Sequence, residues 1–412
     1  MPGPWKKLDL LVVALPIAVV VDLLSAPAPL VFLVGALAIV PLAGLIGRST
    51  ESIADKVGGA VGALLNATFG TFAELVIAAL LVVRGEVAIV KASIVGSLVG
   101  NLLLLLGVSI VISSYDRVEI TFNRASRVQS TMLFLTVGIF LIPTVFSSRS
   151  ESTTTRVDEI SDAIAVVLIV LYGLGLLFMM RTHASLFRSG PEAGEPPPDV
   201  AGGAATAEAA EIRRTGTGAA STEALTTTEP VATAEPVAAA EPVATGPVTT
   251  TGHAEPEPIW SPKMAAVVLA VATVLVTVAA EIVTGSIEGA GSALGLTTGF
   301  LGFVLLPLVG NAAEQFSALA LAAKDRLDVA ADIAVGASIQ LVMLVVPILV
   351  LIGEVSGNSF ALVFDTLELA VLLVSVLLVR QLVDDRKTNW FEGAVLLGLY
   401  VAFAAAAFFV QV

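Results

Sequence analysis

Long apolar runs leave this chain few ways to fold. Crossing about 30 Å of hydrocarbon takes roughly 20 mostly apolar residues. Eleven runs meet that test, at residues 8–24, 28–47, 59–83, 88–113, 127–148, 159–180, 262–284, 293–322, 330–353, 360–380 and 389–411. In lipid each backbone N–H and C=O must pair within its own segment, so the runs predict helices. Composition agrees: 56% of the 412 residues are hydrophobic and 14% charged, against roughly one quarter charged in a soluble domain. The expected fold class is an all-α polytopic membrane protein with eleven transmembrane helices. Residues 8–24 also look like a signal peptide, with Lys6 and Lys7 before a short apolar core and Ser25-Ala26-Pro27 after it. The next run follows almost at once, which favours a retained helix.

Basic residues set the expected orientation, because loops left in the cytoplasm keep Lys and Arg. With the N-terminus inside, twelve of the 21 basic residues fall in short inside segments, five in the long loop after run six, and four outside. The N-terminus and residues 181–261 are therefore expected in the cytoplasm, the C-terminus outside, and the membrane is read as a prokaryotic plasma membrane. Residues 190–258 are rich in Pro, Ala, Thr and Glu and lack aromatics. Such a stretch cannot bury a core, so 181–261 is read as a disordered linker.

The chain also repeats itself. Gly59, Gly62, Gly70, Ala73, Glu74 and Gly96 recur as Gly299, Gly302, Gly310, Ala313, Glu314 and Gly336, at a constant offset of 240 with no gap. Runs 2–6 pair with runs 7–11, giving units at 28–180 and 262–412, with 1–27 as an added helix. Five crossings is an odd number, so the second unit enters the bilayer from the opposite side. Two inverted five-helix repeats with a site at their interface are the build of many secondary transporters.

Glu74 and Glu314 lie near the middle of apolar runs, where an ionised carboxylate needs a partner or water. Gly70 stands four residues before Glu74, and Gly310 four before Glu314. Each pair shares a helix face, and each Gly allows a helix break that frees carbonyls for a cation. Two ionised Glu carry a charge of −2, which one Ca²⁺ or two protons neutralise. A site held by one or the other couples the two fluxes, and access from alternate sides then makes an antiporter. Asn311 would add an amide oxygen, as Ca²⁺ takes about six to eight oxygens. Ser97, Asn101, Ser338 and Gln340 either orient the carboxylates or serve as ordinary helix–helix glue. Glu281 reads either as a further proton-binding stop or as an interfacial carboxylate reaching water. Asp332, Asp365, Glu368 and Glu392 lie near run ends and read as interfacial.

Several classes are excluded. Zero Cys removes disulfides and thiolate metal sites, and two His, His183 and His253, cannot build a multi-His cage. No His-Glu-x-x-His motif is present, so an intramembrane enzyme is not expected. A net charge of −14 argues against a nucleic-acid partner. No cofactor is implied; the expected partners are the transported ions and the lipid bilayer, with the oligomeric state left open.

These motifs resemble those of the cation/proton exchanger (CAX) family, within the cation/Ca²⁺ antiporter superfamily. Leu64-Leu65-Asn66-Ala67-Thr68-Phe69-Gly70, continuing to Leu75, and Val90-Lys91-Ala92-Ser93-Ile94-Val95-Gly96-Ser97 are similar to its first signature repeat. Gly310-Asn311-Ala312-Ala313-Glu314, Lys324 to Asp328, and Gly336 to Gln340 are similar to its second. The resemblance implies Ca²⁺/H⁺ exchange, with Glu74 and Glu314 as the metal- and proton-binding pair and Asn311 beside them. Gln340, Ser338, Ser97 and Asn101 then match the polar residues near the site, and Glu281 a recurring acidic position. Thr71 stands where the first motif has Asn, Gln315 where the second has His, and Gly100 where Ser is common. These departures leave a Na⁺(K⁺)/H⁺ antiporter or a Na⁺/Ca²⁺ exchanger as alternatives on the same fold.

Overall fold

In a computed structural model, residues 9–57, 69–149, 154–183 and 260–409 are described. The linker expected at 190–258 and the first part of the third run, 59–68, lie outside them, as do Lys6, Lys7 and His253.

Apolar sequence becomes long helix, as lipid requires. The helices are α1 (Ala14–Leu23), α2 (Ala28–Val57), α3 (Phe72–Val83), α4 (Val87–Ser114), α5 (Arg124–Arg149), α6 (Thr154–Leu177), α7 (Pro262–Leu294), α8 (Thr298–Gly310), α9 (Ala312–Ala322), α10 (Leu327–Ser356), α11 (Thr366–Asp384) and α12 (Trp390–Phe409). Among the described residues, eight helices are long and apolar enough to cross a membrane, and α8 and α9 make a ninth if that pair, bent by 64°, is one span. Runs one and three appear as the shorter apolar helices Leu11–Leu23 and Phe72–Val83.

Most boundaries shift outward from those expected. The largest extensions are α2, which continues to Val57 rather than ending at 47, and α7, which continues to Leu294 rather than ending at 284. Glu281 therefore sits within a 33-residue helix, not at its end. Helix α10 begins at Leu327, which places Asp332 in its second turn. Asp365 and Glu368 are cap residues. Asp365 accepts from Leu367 N at 2.8 Å, and Glu368 accepts from Asp365 N at 2.9 Å, closing a capping box at the start of α11. Glu392 similarly accepts from Asn389 N at 3.3 Å.

The offset of 240 has a structural counterpart. Helix α4 widens to π-helical turns over Gly100–Leu105, and α10 does so over Leu341–Val345. Turns of this kind are rare and gather at functional sites. Helices α2 and α7, equivalent by the repeat, pack along each other, with α1 against both. Helices α4 and α8 cross at bare backbone: a Cβ on Gly96 would strike the Phe303 main chain, and one on Gly302 would lie 2.6 Å from Ile89 O. Only glycine permits that approach.

Two further groups of polar contacts join the halves, near the two ends of α10. In one, Arg117 pairs with Asp325 at 2.9 Å, Lys387 with Glu119 at 2.7 Å, and Ile120–Thr121 forms a short antiparallel ladder with Lys387–Thr388. In the other, Asn358 Nδ2 donates to the carbonyls of Val82 and Val83, at 3.1 and 2.9 Å, and Ser359 Oγ donates to Asp158 at 2.6 Å.

Candidate functional site

Two helix breaks create the site. Thr71 (φ −91°, ψ 14°) and Asn311 (φ −100°, ψ 9°) hold nearly the same backbone geometry, in the bridge region between helix and strand. Helix restarts directly after each, placing Glu74 in the first turn of α3 and Glu314 in the first turn of α9. Free N–H groups and the helix dipole at such a start favour negative charge.

The breaks also decide what each carboxylate faces. The i, i+4 spacing predicts that Gly70 shares a face with Glu74. Instead, each glycine clears space for the glutamate of the other half. A Cβ on Gly70 would lie 3.2 Å from Glu314 Oε1, and one on Gly310 would lie 3.3 Å from Glu74 Cβ. The turn at Thr71 or Asn311 rotates the chain between Gly and Glu, so the straight-helix face is lost and the two halves interlock.

Glu74 is 6% exposed and well held. Its Oε1 accepts a short hydrogen bond from Ser97 Oγ on α4. Asn311 Nδ2 reaches the same oxygen at 3.5 Å and donates to Ser97 Oγ at 3.1 Å. Both donors arise from predicted site residues, and Asn311 comes from the opposite half. Glu314 differs: its Oε2 is buried without a hydrogen-bond partner among the described residues. Gln340 Oε1 borders the same Gly70 at 3.9 Å, beside Glu314 Oε1.

The other predicted residues are distributed as follows. Thr71 is buried at the first break. Asn101 is buried within the π-helical turns, with its Oδ1 unpartnered among the described residues. Ser338 is buried and donates to Ala334 O at 2.9 Å in its own helix. Glu281 is not brought to the cluster; it forms an ion pair with Arg84, both side chains more than a third exposed. That pair lies beside an open groove of about 520 Å³ between α1 and α7, with Asp22 at its edge. His183 stacks on Phe178 at a helix end, away from the site.

Among the described residues no three Asp, Glu, His or Cys side chains converge. The cluster offers two carboxylates with amide and hydroxyl oxygens around them. That is a hard-oxygen set for a cation, completed by carbonyls at a break or by water, and a set that protons can also occupy. The sequence did not reveal Arg84 as the partner of Glu281, nor the pairing of Asn311 with Ser97 across the halves. The offset alone relates equivalent residues, not contacting ones.

Known proteins share both sequence and fold. A family described as sodium/calcium exchanger protein matches residues 27–181 and 264–409. A Ca²⁺/H⁺ antiporter of Aphanothece halophytica is 34% identical over 385 residues, covering 92% of this chain and 90% of its own. The Ca²⁺/H⁺ antiporter ChaA of Bacillus subtilis is 31% identical over 401 residues, covering 97% of each. Among solved structures, native YfkE superposes with a TM-score of 0.72 at 28% identity, over 98% of this chain and 100% of that one. The H⁺/Ca²⁺ exchanger CAX gives 0.64 at 14% identity, over 98% and 91%, a likeness of fold alone. The matched segments take in every described element of the broken-helix site, and the chain belongs to the sodium/calcium exchanger protein family.

Proposed function

We propose that this chain is a secondary antiporter that exchanges Ca²⁺ for H⁺ across a membrane by alternating access. One observation carries the reading: Glu74 and Glu314, each in the first turn after a break, interlock with the glycine of the opposite half. Their joint charge is neutralised by one Ca²⁺ or by two protons, so the site holds one cargo or the other. Asn311, Ser97 and Thr71 supply further oxygens, and Gln340 and Asn101 border the cluster. The names of the relatives from Aphanothece halophytica and Bacillus subtilis support Ca²⁺ and H⁺ as the ions.

Two inverted five-helix units, 28–180 and 262–412, rock about this site in eleven crossings, with residues 1–27 outside the repeat. The N-terminus and residues 181–261 lie in the cytoplasm of a prokaryotic cell, and the C-terminus lies outside. Family and fold support a carrier rather than an enzyme.

Purified protein in liposomes tests this. An imposed pH gradient should drive uptake of Ca²⁺ that saturates and collapses with the gradient. Uptake of Na⁺ or K⁺ in its place, or Ca²⁺ uptake driven by Na⁺ at fixed pH, would assign the exchange to a different ion pair.

A further inference from the structure

One contact is built twice in this molecule, with opposite charges. In α10, Asp332 accepts from Ser126 Oγ at 2.6 Å and from Asn123 Nδ2 at 2.9 Å. In α4, Lys91 donates to Val363 O at 2.6 Å and lies over the Phe360 ring, 5.9 Å from its centre. The offset of 240 makes Val363 the equivalent of Asn123, and puts Lys91 one residue before the equivalent of Asp332. The anion stands on the face that bears Asp325, the cation on the face that bears Asn358.

Accessibility follows the charge. Asp328, Asp332, Gly336 and Gln340, every fourth residue of α10, are all partly exposed. Such a spacing is one stripe along a helix. It ends at Gln340, beside Gly70 and the Glu314 carboxylate, so it leads to the site. Beyond Lys91, by contrast, α4 is buried without a gap from Ala92 to Leu103. Asp332 stands eight residues before Gln340, about 12 Å along the axis. Its hydrogen bonds come from neutral donors, and among the described residues no Lys or Arg forms an ion pair with it. A partly buried carboxylate without a counter-ion is costly and gains from a passing cation.

We propose that Asp332 is a transit residue for the exchanged cation, in a crevice along α10 that joins the Asp325 face to the central site. Lys91 is its opposite number on the sealed side, where the acidic Glu368 and Asp158 act on it. This rests on the proposed Ca²⁺/H⁺ exchange.

The absence of Cys makes a direct test possible. In vesicles of defined orientation, a membrane-impermeant thiol reagent should label Asp332→Cys and Gly336→Cys from the Asp325 face alone, and leave Val95→Cys and Val99→Cys unmodified. Labelling of α4, or none on α10, overturns the crevice whatever ion is carried. In flux assays, Asp332→Asn keeps the shape of the side chain and removes its charge. It should raise the half-saturating Ca²⁺ about tenfold from the Asp325 face at low ionic strength, with the maximal rate kept and the effect fading in high salt. Asp332→Glu should restore it. A merely structural role would lower the maximal rate on both faces irrespective of salt, and that result, or an unchanged half-saturation, rejects the transit role. Wild-type protein that moves no Ca²⁺ sinks the proposed function; wild-type Ca²⁺ flux with an indifferent Asp332→Asn sinks the transit residue alone.

Discussion

Glu74 and Glu314 occupy the same place in two copies of one backbone, yet their surroundings differ. Glu74 has hydrogen-bond donors from Ser97 and Asn311, while Glu314 keeps a buried oxygen with no partner among the described residues. Two substitutions account for the difference. The offset of 240 turns Ser97 into Ala337 and Asn311 into Thr71. Main-chain symmetry is kept where the helices must break, and side-chain symmetry is lost around the two carboxylates. The comparison teaches that one carboxylate is pre-oriented by the protein, while under the proposed exchange the other is left for the bound ion to complete.

The strongest challenge to that contrast is charge removal. Glu74→Gln and Glu314→Gln should each abolish gradient-driven Ca²⁺ uptake, by more than about 100-fold, since either leaves one carboxylate where a divalent ion needs both. Retained uptake in one of them would reduce the pair to a single working site. Next come the donors. Asn311→Ala removes an amide that meets an anion, a contact worth about 1.5–3 kcal/mol, so Ca²⁺ affinity should fall roughly 10- to 100-fold in a binding titration. Thr71→Ala, at the equivalent place, should cost less than about threefold; equal losses would erase the asymmetry. Ala337→Ser offers Glu314 the hydroxyl that Glu74 already has. Worth about 1 kcal/mol, it should change Ca²⁺ affinity about fivefold, and no change would mean that Glu314 is satisfied in another way. The smallest contrast is steric. Gly70→Ala puts a methyl 3.2 Å from a carboxylate oxygen, and Gly310→Ala puts one 3.3 Å from a side-chain carbon. The first should slow Ca²⁺ uptake more than the second, within a few-fold.

Much of the fold was legible because lipid permits so little. Apolar runs became helices, and the repeat announced the paired breaks at Thr71 and Asn311. Helix α7 passes its expected end and runs on through Gly285, Gly289 and Gly291, since membrane helices carry Gly in their interiors. Helix α10 starts three residues before its expected beginning, so Asp332 lies deeper in the helix than the expected boundary put it. At the site, the residue types were legible but their partners were not. Spacing describes a straight helix, and the turn between Gly70 and Glu74 exchanges the glycine's neighbour for Glu314. The number of crossings is narrower in the described residues than the eleven expected, because runs one and three contribute only short helices there.

The wide turns at Gly100–Leu105 and Leu341–Val345 have an evolutionary consequence. A π-helical bulge stores one surplus amino acid without changing the direction in which later side chains point. Loss of a single codon inside either stretch would be absorbed by rewinding to ordinary α-helix. The same loss elsewhere in α4 or α10 would swing every following residue by roughly 100°. Natural length variation within these two long helices is therefore expected to cluster at the bulges.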